Sequence, residues 1–285
     1  MIALFAAARW LYEAGLMALF GDAGLRMLLR ARMPGLDVPR GGWRLIAALM
    51  VLAAAMLWFS FVSAQMAGDP RAMTDPGLLW LAARQSLFGQ IFLVRLALLV
   101  LLCAGVVFQW RESGLALLSG AALVLISATS HAAAASPAHF TAIGATSDGL
   151  HLLTGGFWIG GLVLLAMLFA HRTEPVLLAG ATNLFAEWGM IAVMVLILTG
   201  MLNAATILLG GAGRDTGLYL AVLGAKLALV LAMVTLALIN HFRLLPRLAK
   251  RGTADRLFWH IRWELGLGLV AVGLAALLGL LPPTL

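Results

Sequence analysis

Apolar residues run along this chain in stretches of about 20, the length that crosses a bilayer as a helix, with short polar interruptions between them. Eight such stretches predict helices at roughly 2–29, 43–65, 87–109, 114–134, 147–170, 184–209, 217–243 and 260–281. The interruptions carry turn chemistry that separates the helices: Pro34-Gly35, Asp69-Pro70, Asp75-Pro76-Gly77, Ser113-Gly114, Ser136-Pro137, the 210–213 glycine-rich stretch and Pro282-Pro283. Trp80-Leu81-Ala82-Ala83, between the second and third stretches, predicts a short interfacial helix. The predicted class is therefore an all-α polytopic membrane bundle of about eight spans, forming one integral domain over 1–285 with no soluble domain. The first stretch carries Arg9 and Glu13 and lacks a basic leader with a small-residue cleavage site, so it reads as a retained helix.

Composition sharpens this picture. Charged residues make up 11% of the chain, hydrophobic residues 63%, and the mean hydropathy is +1.02. Soluble domains carry about a quarter charged residues. The net charge of +7 is topological rather than a sign of nucleic-acid binding. The first, third, fifth and seventh connections, Arg44 included, hold twelve Lys and Arg, against three (Arg71, Arg84 and Arg214) in the others. By the positive-inside rule both termini then lie outside, and so does the connection between the fourth and fifth helices. Cys103 is the single cysteine, which leaves no intrachain disulfide and no Cys-x-x-Cys motif.

Polar groups at membrane depth are costly, so their positions direct attention to function. Arg9 and Glu13, four residues apart, share a helix face and can pair. Arg95 and Lys226 lie roughly 12 Å into their helices at 1.5 Å per residue. Together with Arg9 they fall in the outer half, where the alternatives are snorkelling to the interface or facing a water-filled cavity. Three such cations beside a cation site imply compensation by Glu13 and Asp148, or else an anionic or complexed form of whatever is bound there.

His131 and His151 sit at the facing ends of the fourth and fifth stretches, with no Lys or Arg between them. Neutral imidazole is a preferred ligand for copper and zinc, so two of them on adjacent helices form a candidate metal pair; the alternative is helix packing or interhelical hydrogen bonding. His139 lies in the same connection, as a possible further ligand or a solvated loop residue. His171, His241 and His260 fall at internal helix ends. Met190, Met194 and Met201 lie within roughly 40° on one face of the sixth helix, a stripe of soft thioethers or of gap-filling packing. Gly156 and Gly160 make a small-residue packing face, and Trp158, seven residues after His151, falls nearly beneath it.

In order along the chain come Arg9-Trp10-Leu11, Phe88-Gly89, Val94-Arg95-Leu96, Ser130-His131-Ala132-Ala133, His151-Leu152-Leu153 and Phe157-Trp158-Ile159-Gly160-Gly161. They are followed by Leu198-Thr199-Gly200-Met201-Leu202-Asn203, Gly224-Ala225-Lys226-Leu227, the run from Asn240 to Pro246, Arg262-Trp263-Glu264-Leu265 and Pro282-Pro283. This series, spanning nearly the whole chain, resembles the copper resistance protein D (CopD) family of bacterial inner membranes. The resemblance implies a copper-handling integral membrane protein, multi-pass in the plasma membrane. It also implies a periplasmic carrier of the CopC type as partner, and movement of copper, as Cu(I) or Cu(II), from periplasm to cytoplasm. The family often has His after Arg-Trp-Leu where this chain has Tyr12, and Thr before Phe-Gly where it has Ser86. His131 and His151 are therefore the expected metal ligands.

No nucleotide-binding motif is visible, so any transport draws on a gradient, the membrane potential or a partner; no enzymatic activity is expected. Two other readings stay open: a haem-binding electron-transfer protein with axial ligands from His131, His151 or His241, and a copper sensor or assembly factor that conducts nothing.

Overall fold

The computed structural model describes residues 2–36, 38, 41–129, 138–171, 173–209, 217–248 and 253–281. Among these, the long helices are α1 (Ile2–Arg32), α2 (Trp43–Ala67), α4 (Leu87–Val107), α5 (Glu112–Ser127), α6 (Ala138–Ala170), α7 (Pro175–Leu209), α8 (Gly217–Ile239) and α9 (Thr253–Leu278). A short α3 (Pro76–Gln85) stands between α2 and α4, at the place where an interfacial helix is expected. Asp75 starts it, its carboxylate accepting from the amides of Gly77 at 2.8 Å and Leu78 at 3.1 Å, with Pro76 at the first helical position. Trp80 is exposed on its surface, with Arg84 over the indole.

Seven helices have the length and apolarity to cross a membrane. The eighth expected span, α5, has only 16 described helical residues, about 24 Å at 1.5 Å each. It ends at Ser127 rather than near 134. Conversely α6 begins at Ala138 rather than near 147, α7 at Pro175 rather than 184, and α9 at Thr253 rather than 260. Helical hydrogen bonds close within the backbone, so polar residues continue a helix past the apolar zone that marks a span. α8 ends in a π-helical turn at Asn240–Leu244, followed by a 3₁₀ turn containing Pro246. Proline cannot continue the α-helical ladder, and the widened turn before it shifts where Asn240 and His241 project.

α1 and α6 form the centre. α1 packs on α2, α5, α6 and α9, and α6 on α1, α5, α7 and α9. Their crossing is made of glycines. A Cβ on Gly160 would stand 2.6 Å from the Ala18 carbonyl oxygen and the Asp22 amide nitrogen, and one on Gly21 would strike the Gly156 carbonyl. Only glycine lets two backbones approach this closely. Two apolar clusters flank the crossing. One joins α1 to α2, α4 and α5 through Leu16, Val51, Phe59, Leu99 and Leu123; the other joins α1 to α6, α7 and α9 through Leu25, Leu165, Leu184, Leu257 and Ile261. α8 packs on α9 and leaves most of its surface outside the bundle.

Beside the crossing lies an ionic cluster that sequence inspection overlooks. Asp22, fully buried, accepts from Arg26 Nε at 3.0 Å and from Arg44 Nε at 2.6 Å. Arg44 also donates to Glu112 at 2.8 Å, and Arg30 approaches the same carboxylate at 3.3 Å. Arg44, counted above as a loop cation, thus sits in the first turn of α2 and is buried. The cluster ties α1, α2 and α5 together at the end of the bundle opposite His151.

Candidate metal-handling site

His151 projects from α6 against α7. Its Nδ1 lies 3.0 Å from the Thr199 hydroxyl, and the ring edge faces Gly200, where an added Cβ would stand 3.2 Å from Cε1. The direction of that hydrogen bond goes with the tautomer. The Thr199 hydroxyl donates to the Val195 carbonyl at 2.7 Å, so towards His151 it accepts. In that arrangement Nδ1 carries the proton, and Nε2 keeps the lone pair through which a neutral imidazole binds a metal. One turn earlier on α6, Ser147 donates to the Thr199 carbonyl at 3.3 Å, which fastens α6 to α7 at the same level.

Removing this orienting acceptor gives a first expected result. Thr199→Val keeps the shape of the side chain but leaves Nδ1–H without its partner. Such losses behind a metal ligand typically cost 10–100-fold in affinity. Copper titration of the purified variant should show a loss of that size, and unchanged affinity would separate Thr199 from the site.

Charged groups gather at this end of the bundle. Arg9 donates to Glu13 at 2.7 Å within α1, and its guanidinium stands 5.6 Å from the Trp58 ring. Lys226 of α8 is within electrostatic reach of Asp148, Glu13 and Arg9, and it also acts on His151. Asn203 of α7 donates to Asp148 at 3.5 Å. Arg95 is buried between α4 and α1, its guanidinium 5.6 Å from the ring of Phe88 and 6.0 Å from that of Phe92, beside Tyr12. Three helices thus contribute Arg9, Glu13, Asp148, Lys226 and His151 to one neighbourhood, with Arg95 adjoining it from a fourth.

The remaining sequence candidates fall elsewhere. His131 lies outside the described residues, and so does the side chain of His139. Met190 is 37% exposed, Met194 55% and Met201 66%, so the thioether stripe runs along the outer flank of α7 rather than towards His151. His171 is exposed at the end of α6, its Nδ1 2.8 Å from the Met167 carbonyl oxygen. Among the described residues no three His, Cys, Asp or Glu side chains stand close enough together to hold a metal ion.

Trp158 does not floor the His151 pocket. About 10 Å further along α6, at 1.5 Å per residue, its indole N–H donates to Glu264 of α9 at 2.6 Å. The other Glu264 oxygen accepts from Asn240 at 3.1 Å, and the Asn240 carbonyl meets His260 Nδ1 at 2.9 Å. This chain joins α6, α8 and α9 in the opposite half of the bundle. Glu264 and Asn240 appear in the sequence only inside longer motifs. The pairing of Trp158 with Glu264 spans 106 positions, and no local spacing signals it.

Comparison with known proteins agrees with this architecture. Residues 1–139 match the family model for the copper resistance protein D-like N-terminal domain, and residues 179–278 match that for copper resistance protein D. The chain is 31% identical to copper resistance protein D of Pseudomonas syringae pv. tomato, over 97% of this chain and 96% of that one. It is 27% identical to inner membrane protein YebZ of Escherichia coli (strain K12), over 97% of each chain. No solved structure matches. The seven membrane-length helices and these relatives identify a multi-pass protein of the inner membrane. With a match above 30% identity across nearly its full length, the chain belongs to the copper resistance protein D family.

Proposed function

We propose that this protein binds copper at the His151 end of the bundle and carries it across the inner membrane, from the periplasmic to the cytoplasmic side. The observation that carries the reading is the anchoring of His151: its Nδ1 meets the Thr199 hydroxyl, which leaves Nε2 as the candidate donor, on the helix that also carries Asp148 one turn earlier. His131, at the end of the preceding apolar stretch, is the proposed second ligand. Both termini and the 131–151 region face the periplasm in this reading, following the basic-residue bias, and a periplasmic carrier of the CopC type delivers the ion there. The whole of 1–285 acts as one membrane unit. Lys226, Arg9 and Arg95 shape the field of the entry region, with Glu13 and Asp148 offsetting their repulsion of a metal cation.

The test is copper uptake by proteoliposomes containing the full chain, with orientation read by labelling single cysteines at positions 138 and 253 in a background lacking Cys103. Uptake above that of empty vesicles, reduced by His131→Ala, together with external labelling at 138 but not at 253, is the expected result. Binding without uptake would make the protein a copper sensor or assembly factor. The reverse labelling pattern would remove periplasmic loading.

A further inference from the structure

Glu264 stands apart from every other buried acid described. Glu13 pairs with Arg9, Asp22 with Arg26 and Arg44, and Glu112 with Arg44 and Arg30. Among the described residues, Glu264 has neither an ion pair nor a charged group acting on it, although it is 2% exposed and lies within a membrane-spanning helix. Its partners are the neutral donors Trp158 Nε1 and Asn240 Nδ2. Two N–H donors suit a carboxylate, whereas apolar surroundings without a counter-charge suit the neutral acid. The group is thus built to exist in both forms.

It also has a route for the proton. Glu264 lines a cavity of about 90 Å³ walled by α6, α7, α8 and α9, and Asn240 and His241 line the same cavity. A water needs roughly 10–15 Å³ of such space and two or more polar partners, so the polar end of the cavity, at Glu264, Asn240 and His241, has room and partners for a bridging water. His241 Nδ1 is buried there with no hydrogen-bond partner among the described residues. Its imidazole sits in the π-helical turn at the end of α8 that lies nearer the basic connections. The titratable groups around Glu264 are His241 of α8, across the cavity, and His260 of α9, through Asn240. No carboxylate or cation of α6 or α7 lines the cavity.

We propose that Glu264 is a proton-binding site, exchanging with the membrane face nearer the basic connections through His241 and cavity water, and that its occupancy is coupled to copper movement. The coupling clause rests on the transport reading above; the proton site itself does not. In the exchange a proton leaves the His241 imidazolium, passes along water and bonds to a Glu264 carboxylate oxygen. This gives a neutral imidazole and a neutral carboxylic acid, and the return step reverses it. No electron is transferred.

The experiment uses the full chain in liposomes. Infrared difference spectra between acidic and neutral pH should show the carbonyl band of a protonated carboxyl. That band should be absent in Glu264→Gln and displaced in Trp158→Phe, which keeps the acid but removes one donor. Persistence of the band unchanged in Glu264→Gln would overturn the proton site. The steady-state copper accumulation ratio reached under an imposed pH gradient should change about tenfold per pH unit in wild type for one proton per ion, each pH unit being worth about 1.36 kcal/mol, and should lose that dependence in Glu264→Gln. An equal response in both proteins would overturn the coupling. Absence of uptake in wild type would count against transport itself, and the infrared band would still decide the proton site.

Discussion

Replacing Asp22 by alanine is expected to destabilise the protein by about 3–5 kcal/mol, the cost of removing one partner from a buried ion pair. Asp22 accepts from both Arg26 and Arg44, and all three side chains are less than one-tenth exposed. Without the carboxylate, Arg26 keeps its contact with the Val38 carbonyl and Arg44 keeps Glu112, but two guanidiniums share one acid in a site closed to water. Arg30→Ala is the matched control. Its side chain is 46% exposed, and Glu112 retains Arg44, so the loss should stay within about 1 kcal/mol. Thermal unfolding of the two variants in the same lipid nanodiscs separates these values. Equal and small losses would show that the cluster is solvated rather than a lock.

The second large effect concerns function. His151→Ala removes the donor atom itself, whereas Thr199→Val removes only the group that orients it. The loss of copper affinity should therefore exceed the upper end of the 10–100-fold range typical for orienting groups. His171→Ala, at an exposed imidazole bonded only to its own helix, should bind as wild type. Binding to wild type should also weaken as the solution is acidified, because protonation consumes the lone pair at Nε2 that the metal requires. Equal affinities in His151→Ala and His171→Ala would exclude the imidazole of His151 as a ligand.

The spans were legible because apolar length has a single cause, the thickness of the bilayer core. Helix starts were not, since Ala138 to Thr146 and Pro175 to Asn183 are helical without being uniformly apolar. The Arg9–Glu13 pair was readable from a spacing of four, and the same spacing relates Asp22 to Arg26. That second pair escaped notice because it lies where the first helix approaches its basic end. Arg44 was misread as a loop cation for a related reason: nothing local distinguishes a solvated arginine from one folded back onto an acid 22 positions away. Trp158 could be placed on a helix face from periodicity, but its partner comes from α9, and long-range pairing leaves no periodic trace.

The glycine crossing bears on how force passes through the molecule. The two matched family segments, 1–139 and 179–278, leave most of α6 between them, and this helix packs against helices from both. On α6, Gly160 abuts the Asp22 backbone of α1, while two positions earlier Trp158 grips Glu264 of α9. A slide of α6 along its axis would drive larger side chains into a gap that admits only hydrogen atoms, and would pull the indole off the carboxylate at the same time. α6 therefore behaves as a keyed shaft between the two halves, barred from axial travel. α8, which packs chiefly on α9 and is largely unburied, is the long helix this lock constrains least.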